Sequence, residues 1–271
     1  NFNTVNYLLI NVKKKDKKIT IILQARVGSS RFPKKVLKSI EKTPMIQHVI
    51  NRLKKTKAEQ IILATTTKKE DKILQEFASK NNILSFAGDE NDVLDRYMKS
   101  AILYDADPII RITGDCPLID SNLIDSMLDF FISKKCDYVS NTINRTFPDG
   151  EDIEIFSFNA LKQAHKKANL TSEREHVTPY ITKNSKIFKL ENFENNQDFS
   201  KLRWSVDRKE DLMLIRRIYR SFRPKKLFSM NDVLKLLKEK PTLSKINASI
   251  DQNEGYSNSL KYDKIISKYI F

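Results

Sequence analysis

The sequence predicts an α/β fold: a mostly parallel sheet with helices on both faces, followed by a small helical C-terminal appendage. Three observations point there. Short apolar runs rich in β-branched residues alternate with longer stretches of helical periodicity, the pattern of βαβ units. The chain has 271 residues, 40% of them hydrophobic, enough to bury a sizeable core around such a sheet. The alternation breaks after Tyr138 and turns all-helical from Ser229.

Residues 1–18 end in the run Lys13-Lys14-Lys15-Asp16-Lys17-Lys18, expected to be a flexible basic segment ahead of the main domain, 19–223. Ile19–Leu23 reads as a buried strand. Pro44 opens an amphipathic helix through Ile46, Val49, Ile50 and Leu53. Gln60–Ala64 is a second strand, 69–81 a helix, Ile83–Phe86 a third strand, and a helix runs on through Val93, Leu94, Tyr97 and Met98. Pro108–Ile112 is a fourth strand and 121–133 a helix. Beyond them come a loop and hairpin around Pro148-Asp149-Gly150, helices at 158–168 and 173–183, strands at 187–191 and 202–206, and a helix from Lys209 to Phe222. Ser229 and Asp232 are spaced as a capping box within the appendage, 224–271.

Composition narrows the function. Lys and Arg number 49 against 34 Asp and Glu, a formal charge of +15. Two readings stay open: a polyanionic partner such as nucleic acid, an acidic lipid face or a nucleoside triphosphate, or a compositional bias that scatters lysine. Aromatic content of 9% with no stacking platform disfavours nucleic acid. Cys116 and Cys136 form no C-x-x-C pair, and with His48, His165 and His176 they assemble no zinc spacing. Tyr7–Ile10 is too short to span a membrane and is followed by lysines, so neither a transmembrane helix nor a signal peptide is expected, and a cytoplasmic location is.

In open parallel sheets ligands bind beyond the carboxyl ends of the strands, which nominates the segments after Leu23, Ala64, Phe86 and Ile112. Gln24-Ala25-Arg26-Val27-Gly28-Ser29-Ser30-Arg31-Phe32-Pro33-Lys34-Lys35 follows the first strand. Backbone N–H groups around Gly28, with Arg26, Arg31 and Lys35, suit a triphosphate; a solvated basic loop is the alternative. The spacing matches neither a Walker A loop nor G-x-G-x-x-G. Arg111-Ile112-Thr113-Gly114-Asp115-Cys116-Pro117 follows the fourth strand and presents Asp115 at a Gly turn, a placement suited to a hard-metal ligand. Asp120 fits a helix N-cap better, and Cys116 reads as a packed cysteine. On sequence position alone Asp207 also reads as an N-cap.

The segments QARVGSSRFPKKVL, RITGDCPLID, RTFPDGEDIE, SEREHVTPY and LRWSVD occur in this order, and INASIDQNEGYSNSLKYD follows at 246–263. Together they resemble the SpsF-like cytidylyltransferases of spore coat polysaccharide biosynthesis, a family similar to the CMP-KDO and CMP-sialic acid synthetases. The resemblance implies a Rossmann-like nucleotide-diphospho-sugar transferase sheet. It implies a magnesium-dependent enzyme that moves CMP from CTP to an acidic sugar and releases pyrophosphate; a sugar phosphate or phosphonate acceptor is the nearer alternative, and a non-enzymatic nucleic-acid-binding protein the distant one. It places Gln24, Ala25, Arg26, Gly28, Ser29, Arg31 and Lys35 on CTP, makes Asp115 and Asp207 the metal ligands, and gives Arg26 and Lys35 catalytic roles. His176 and Tyr180 resemble the sugar-contacting pair, with a homodimer as the candidate assembly. Arg174 suits an acceptor carboxylate and Asp149, Asp152 and Glu154 lie on the acceptor side; a helix start capped by Ser172 and Glu175, and a hairpin turn, are the structural alternatives. Where the family usually has Gly before the loop lysine, this chain has Lys34.

Overall fold

The computed structural model describes residues 16–29, 31–225, 227–252 and 254–266. Most of the expected basic segment, residues 1–15, lies outside the described residues.

Among the described residues seven strands form one sheet, in the order β5-β4-β1-β6-β8-β7-β9. β1 (Lys18–Gln24) lies at its centre, and β2 (Ser39–Ile40) and β3 (Thr43–Pro44) make a separate small hairpin before α1 (Met45–Leu53). β4 (Gln60–Thr66), α2 (Lys72–Lys80), β5 (Leu84–Gly88), α3 (Val93–Leu103) and β6 (Ala106–Thr113) complete the parallel part. α4 (Ser121–Lys134) leads to β7 (Tyr138–Ser140) and β8 (Glu154–Phe156), where β8 runs antiparallel to both β6 and β7. α5 (Phe158–Lys167), α6 (Thr171–His176) and α7 (Pro179–Lys183) precede the edge strand β9 (Leu190–Asn192), and α8 (Lys209–Ser221), α9 (Met230–Glu239) and α10 (Glu254–Lys261) close the described chain.

The period of two along β1 sorts the core. Ile21 and Leu23 point to one face and join Val49 of α1, Met127 of α4 and Ile215 of α8; Ile22 points to the other and joins Tyr97 of α3 and Leu161 of α5. Helices therefore cover both faces, as the near-continuous apolar strands require. α9 adds Val233 and Leu237 to the first cluster.

The four parallel strands and their helices fall where the periodicity puts them. The later segments differ. Residues 202–206 do not form a strand: a single bridge joins Arg203 to Asp149, while the N–H groups of Trp204 and Ser205 both donate to the Asp149 carbonyl and that of Val206 to the Asp115 carbonyl. The helix expected over 173–183 is split, because Val177 turns left-handed at φ 73° and Pro179 restarts the chain as α7. Its start is not capped by Ser172 and Glu175. Glu173 instead accepts the N–H groups of Asn169 and Leu170, and Asp263 accepts from Ser172. Ser229 and Asp232 do cap α9 reciprocally, and Asp120 caps α4 through the Asn122 N–H at 2.8 Å.

Candidate active site

The carboxyl ends of β1 and β6 are drawn together. The Gly114 N–H donates to the Gln24 carbonyl at 2.8 Å, and a Cβ at 114 would stand 2.9 Å from that of Ala25. Glycine is thus required by close approach, and it brings the β1 loop and the Asp115 turn side by side. The loop's base is fixed by Asp71, which is buried and accepts the Val27 N–H at 2.6 Å, so that amide faces the protein rather than a ligand.

Lys35 is the centre of the arrangement. Its ammonium donates to Asp115 at 2.6 Å and Asp207 at 2.7 Å, while Arg31 reaches the same Asp207 oxygen at 2.9 Å. Arg26 points outward to Glu90 at 3.0 Å, and Ser29 accepts the Phe32 N–H. Lys34, ahead of this lysine, takes the glycine-like backbone (φ 57°, ψ 30°) and leaves its side chain exposed. The family's Gly is replaced in side chain but not in conformation, at a strain of about 1–2 kcal/mol.

Asp207 does not cap α8. The N–H groups of Asp207 and Arg208 both go to Asp211, which leaves the Asp207 carboxylate to face the cations. Arg203, a residue the sequence reading passed over, ties the acidic groups together: it bonds Asp149 at 2.7 Å, Asp207 at 3.1 Å and Asp211 at 3.1 Å. No local pattern announces this, since the fork joins partners from distant segments; the signal was a lone arginine inside the LRWSVD motif.

Titration follows the geometry. Burial works to raise the Asp115 carboxyl, but the charge and hydrogen bond of Lys35 hold it well below the usual carboxylate range. Asp207 is lowered as well: burial and the Asp115 charge oppose this, and Lys35 and Arg31 outweigh them. Lys35 is raised, since its two carboxylates outweigh burial. Asp149 is pushed up to about 6, chiefly by burial and next by Asp152. Burial and the Asp115 charge push the Cys116 thiol up, which fits a packed cysteine.

The acceptor candidates separate. Arg174 is a correction: its guanidinium is fully buried, forked onto Asp92 at 2.8 and 2.9 Å, and donates to the His165 carbonyl. It ties α6 to the start of α3 and does not present itself to an acceptor. Glu154 is likewise spent inside the sheet on Arg111, Tyr138 and Thr178. Asp149 and Asp152 lie together, the latter forked by Arg145 at 2.5 and 2.7 Å. His176 is half-buried near Arg111 and Glu154, and burial lowers its pKa against the pull of Glu175. Tyr180 packs edge-on to Phe188.

Among the described residues no group of three or more His, Cys, Asp and Glu side chains converges as a metal site. Two carboxylates already closed around one cation, the Lys35 ammonium, nonetheless match what magnesium asks of a protein when phosphate oxygens and water complete its shell. Nor is any helix of the described chain long and apolar enough to cross a membrane.

Residues 20–260 match the family model described as cytidylyltransferase. The chain is 29% identical over 231 residues to the spore coat polysaccharide biosynthesis protein SpsF of Bacillus subtilis, covering 82% of this chain and 95% of that one. It is 31% identical over 154 residues to a 3-deoxy-manno-octulosonate cytidylyltransferase of Francisella tularensis subsp. novicida, over 56% of this chain and 60% of that one. A solved cytidylyltransferase from Leptospira borgpetersenii superposes with a TM-score of 0.83 at 35% identity, covering 88% of this chain and all of that one.

Proposed function

The chain belongs to the cytidylyltransferase family, and from that premise we propose that it transfers CMP from CTP to an acidic sugar related to 3-deoxy-manno-octulosonate, releasing pyrophosphate. The observation that carries the reading is the Lys35 ammonium held between Asp115 and Asp207 at the carboxyl end of β6. Three cations, Arg26, Arg31 and Lys35, stand on the loop that follows β1, where a triphosphate would be gripped. Gln24, Ala25, Gly28 and Ser29 complete that wall.

Asp115 and Asp207 would hold magnesium. When bound, the ion supplies positive charge against the α-phosphate oxygens. The rest falls to the chain. Arg31 and Lys35 align the phosphates and, with Arg26, stabilise the charge that moves onto pyrophosphate as the bond to the α-phosphorus breaks. Arg203 keeps Asp207 turned inward by occupying its second oxygen. His176 and Tyr180, with Asp149 and Asp152, offer hydrogen bonds to acceptor hydroxyls; the incoming hydroxyl oxygen forms the new bond to phosphorus and gives up its proton to solvent.

The test is a pyrophosphate-release screen with CTP and magnesium against 3-deoxy-manno-octulosonate, N-acetylneuraminate and a set of sugar phosphates. Turnover with a sugar acid is expected. Release with sugar phosphates alone would move the acceptor class, and release with none would end the proposal.

A further inference from the structure

We propose that the C-terminal helix α10 is a working part of the acceptor site, bridging the nucleotide loop to His176 and holding that ring toward the acceptor; this rests on the function proposed above. The helix touches both halves of the site. At its first turn Gly255 lies against Arg31, so closely that a Cβ there would meet the guanidinium nitrogens at 3.1 and 3.4 Å. Arg31 is the residue that bonds Asp207. Beside it, Glu254 accepts both contacts of the Arg208 guanidinium at 2.9 Å, on the residue that follows Asp207. In the same turn the Tyr256 ring packs edge-on to His176 with centroids 5.0 Å apart, and one turn further on Ser259 meets His176 Nε2 at 2.9 Å while donating to Glu175 at 2.9 Å.

These contacts fix the imidazole from two sides. The ring is held by the perpendicular ring of Tyr256 and at Nε2 by Ser259, and it feels the charges of Arg111 and Glu154 of β6 and β8. β6 is the strand that ends in the Asp115 turn. The α10 helix therefore spans the space between the Asp115–Asp207 pair and His176, where an acceptor must lie to reach the α-phosphorus. Its seat is built independently of that face. Asp263 accepts from Thr171 and Ser172, the Thr171 N–H donates to the Lys264 carbonyl, and the Ile266 N–H donates to the Asn169 carbonyl. The segment after α10 is thus anchored at the start of α6, so the seat of the helix does not depend on its contacts with Arg31 and His176. Tyr256 and Ser259 are positioning residues: they act through His176.

The experiment compares the parent with Tyr256→Ala, Ser259→Ala and Tyr256→Phe, reading pyrophosphate release with 3-deoxy-manno-octulosonate and N-acetylneuraminate as acceptor probes, and CTP–magnesium affinity by calorimetry. The two alanine variants should raise the acceptor KM by about tenfold or more, with kcat and CTP affinity within about twofold of the parent. Tyr256→Phe should keep the parent KM, because the ring and not the hydroxyl packs on His176. Unchanged KM in all variants of an active parent would overturn the role of α10 and leave the proposed function standing. Equal losses of CTP affinity and acceptor KM would also overturn it, by making the helix a general brace. A parent that releases no pyrophosphate with either probe would overturn both.

Discussion

Two arginine-bearing segments of this molecule carry motifs of the same family, and they use their charge in opposite ways. Around Lys35 the groups keep contact with solvent: the side chains of Lys35, Asp207, Asp115 and Arg31 are 13%, 17%, 23% and 33% exposed. In α6 the Arg174 side chain is 0% exposed and its fork is closed on Asp92. A charge at a mouth that solvent reaches can exchange its partner for a phosphate or a metal at modest cost. A charge sealed inside cannot, because leaving its partner unpaired costs several kcal/mol. Similar motif residues thus divide into groups that reach solvent and a group sealed into the scaffold.

The comparison is broken most directly at the carboxylates. Asp115→Asn and Asp207→Asn should each lower turnover by about a hundredfold or more, as loss of a preorganised charge at a reacting phosphate does. Both variants should stay folded and lose less stability than Arg174→Met does, because Lys35 keeps its other aspartate. A variant that kept parent turnover at saturating magnesium would remove that aspartate from the metal site, and one that mainly lost stability would turn it into a structural group.

Arg174→Met reverses the pattern. It removes the buried fork that ties α6 to Asp92 and leaves Asp92 capping α3, and should cost about 3–5 kcal/mol in a urea titration. The surviving folded fraction should bind CTP as the parent does. Normal stability with a raised acceptor KM would instead return Arg174 to the acceptor.

Much of this was legible in the sequence. The four parallel strands are continuous apolar runs with β-branched residues, and Ile21, Ile22 and Leu23 can be assigned to a buried strand without knowing their neighbours. The β7 strand, Tyr138–Ser140, was not legible, since three residues carry no period. The reading of 202–206 as a strand failed because an alternating apolar and polar segment such as Leu202–Val206 looks the same whether its amides pair with a strand or, as here, turn onto the Asp149 and Asp115 carbonyls. The break at Val177 is a left-handed valine, a conformation its side chain disfavours and its sequence does not signal.

The site shows the same limit. Lys35, Asp115 and Asp207 were found by motif and order, and the fold brings them within hydrogen-bond distance. Arg174 was found by motif too, yet its partner Asp92 belongs to another helix cap, and only the packing reveals that the charge is already spent. Arg203 escaped for the converse reason: its importance lies in joining Asp149, Asp207 and Asp211, a convergence that no spacing along the chain encodes.

The central claim is that the loop after β1 and the Asp115–Asp207 pair form a magnesium-dependent site for CTP. Titration calorimetry of the parent protein with CTP, ATP, GTP and UTP, each with and without magnesium, tests it most directly. Saturable binding of CTP, at least about tenfold tighter than that of the other three and lost without magnesium, is the predicted result. Equal binding of all four nucleotides, or CTP binding indifferent to the metal, would contradict it.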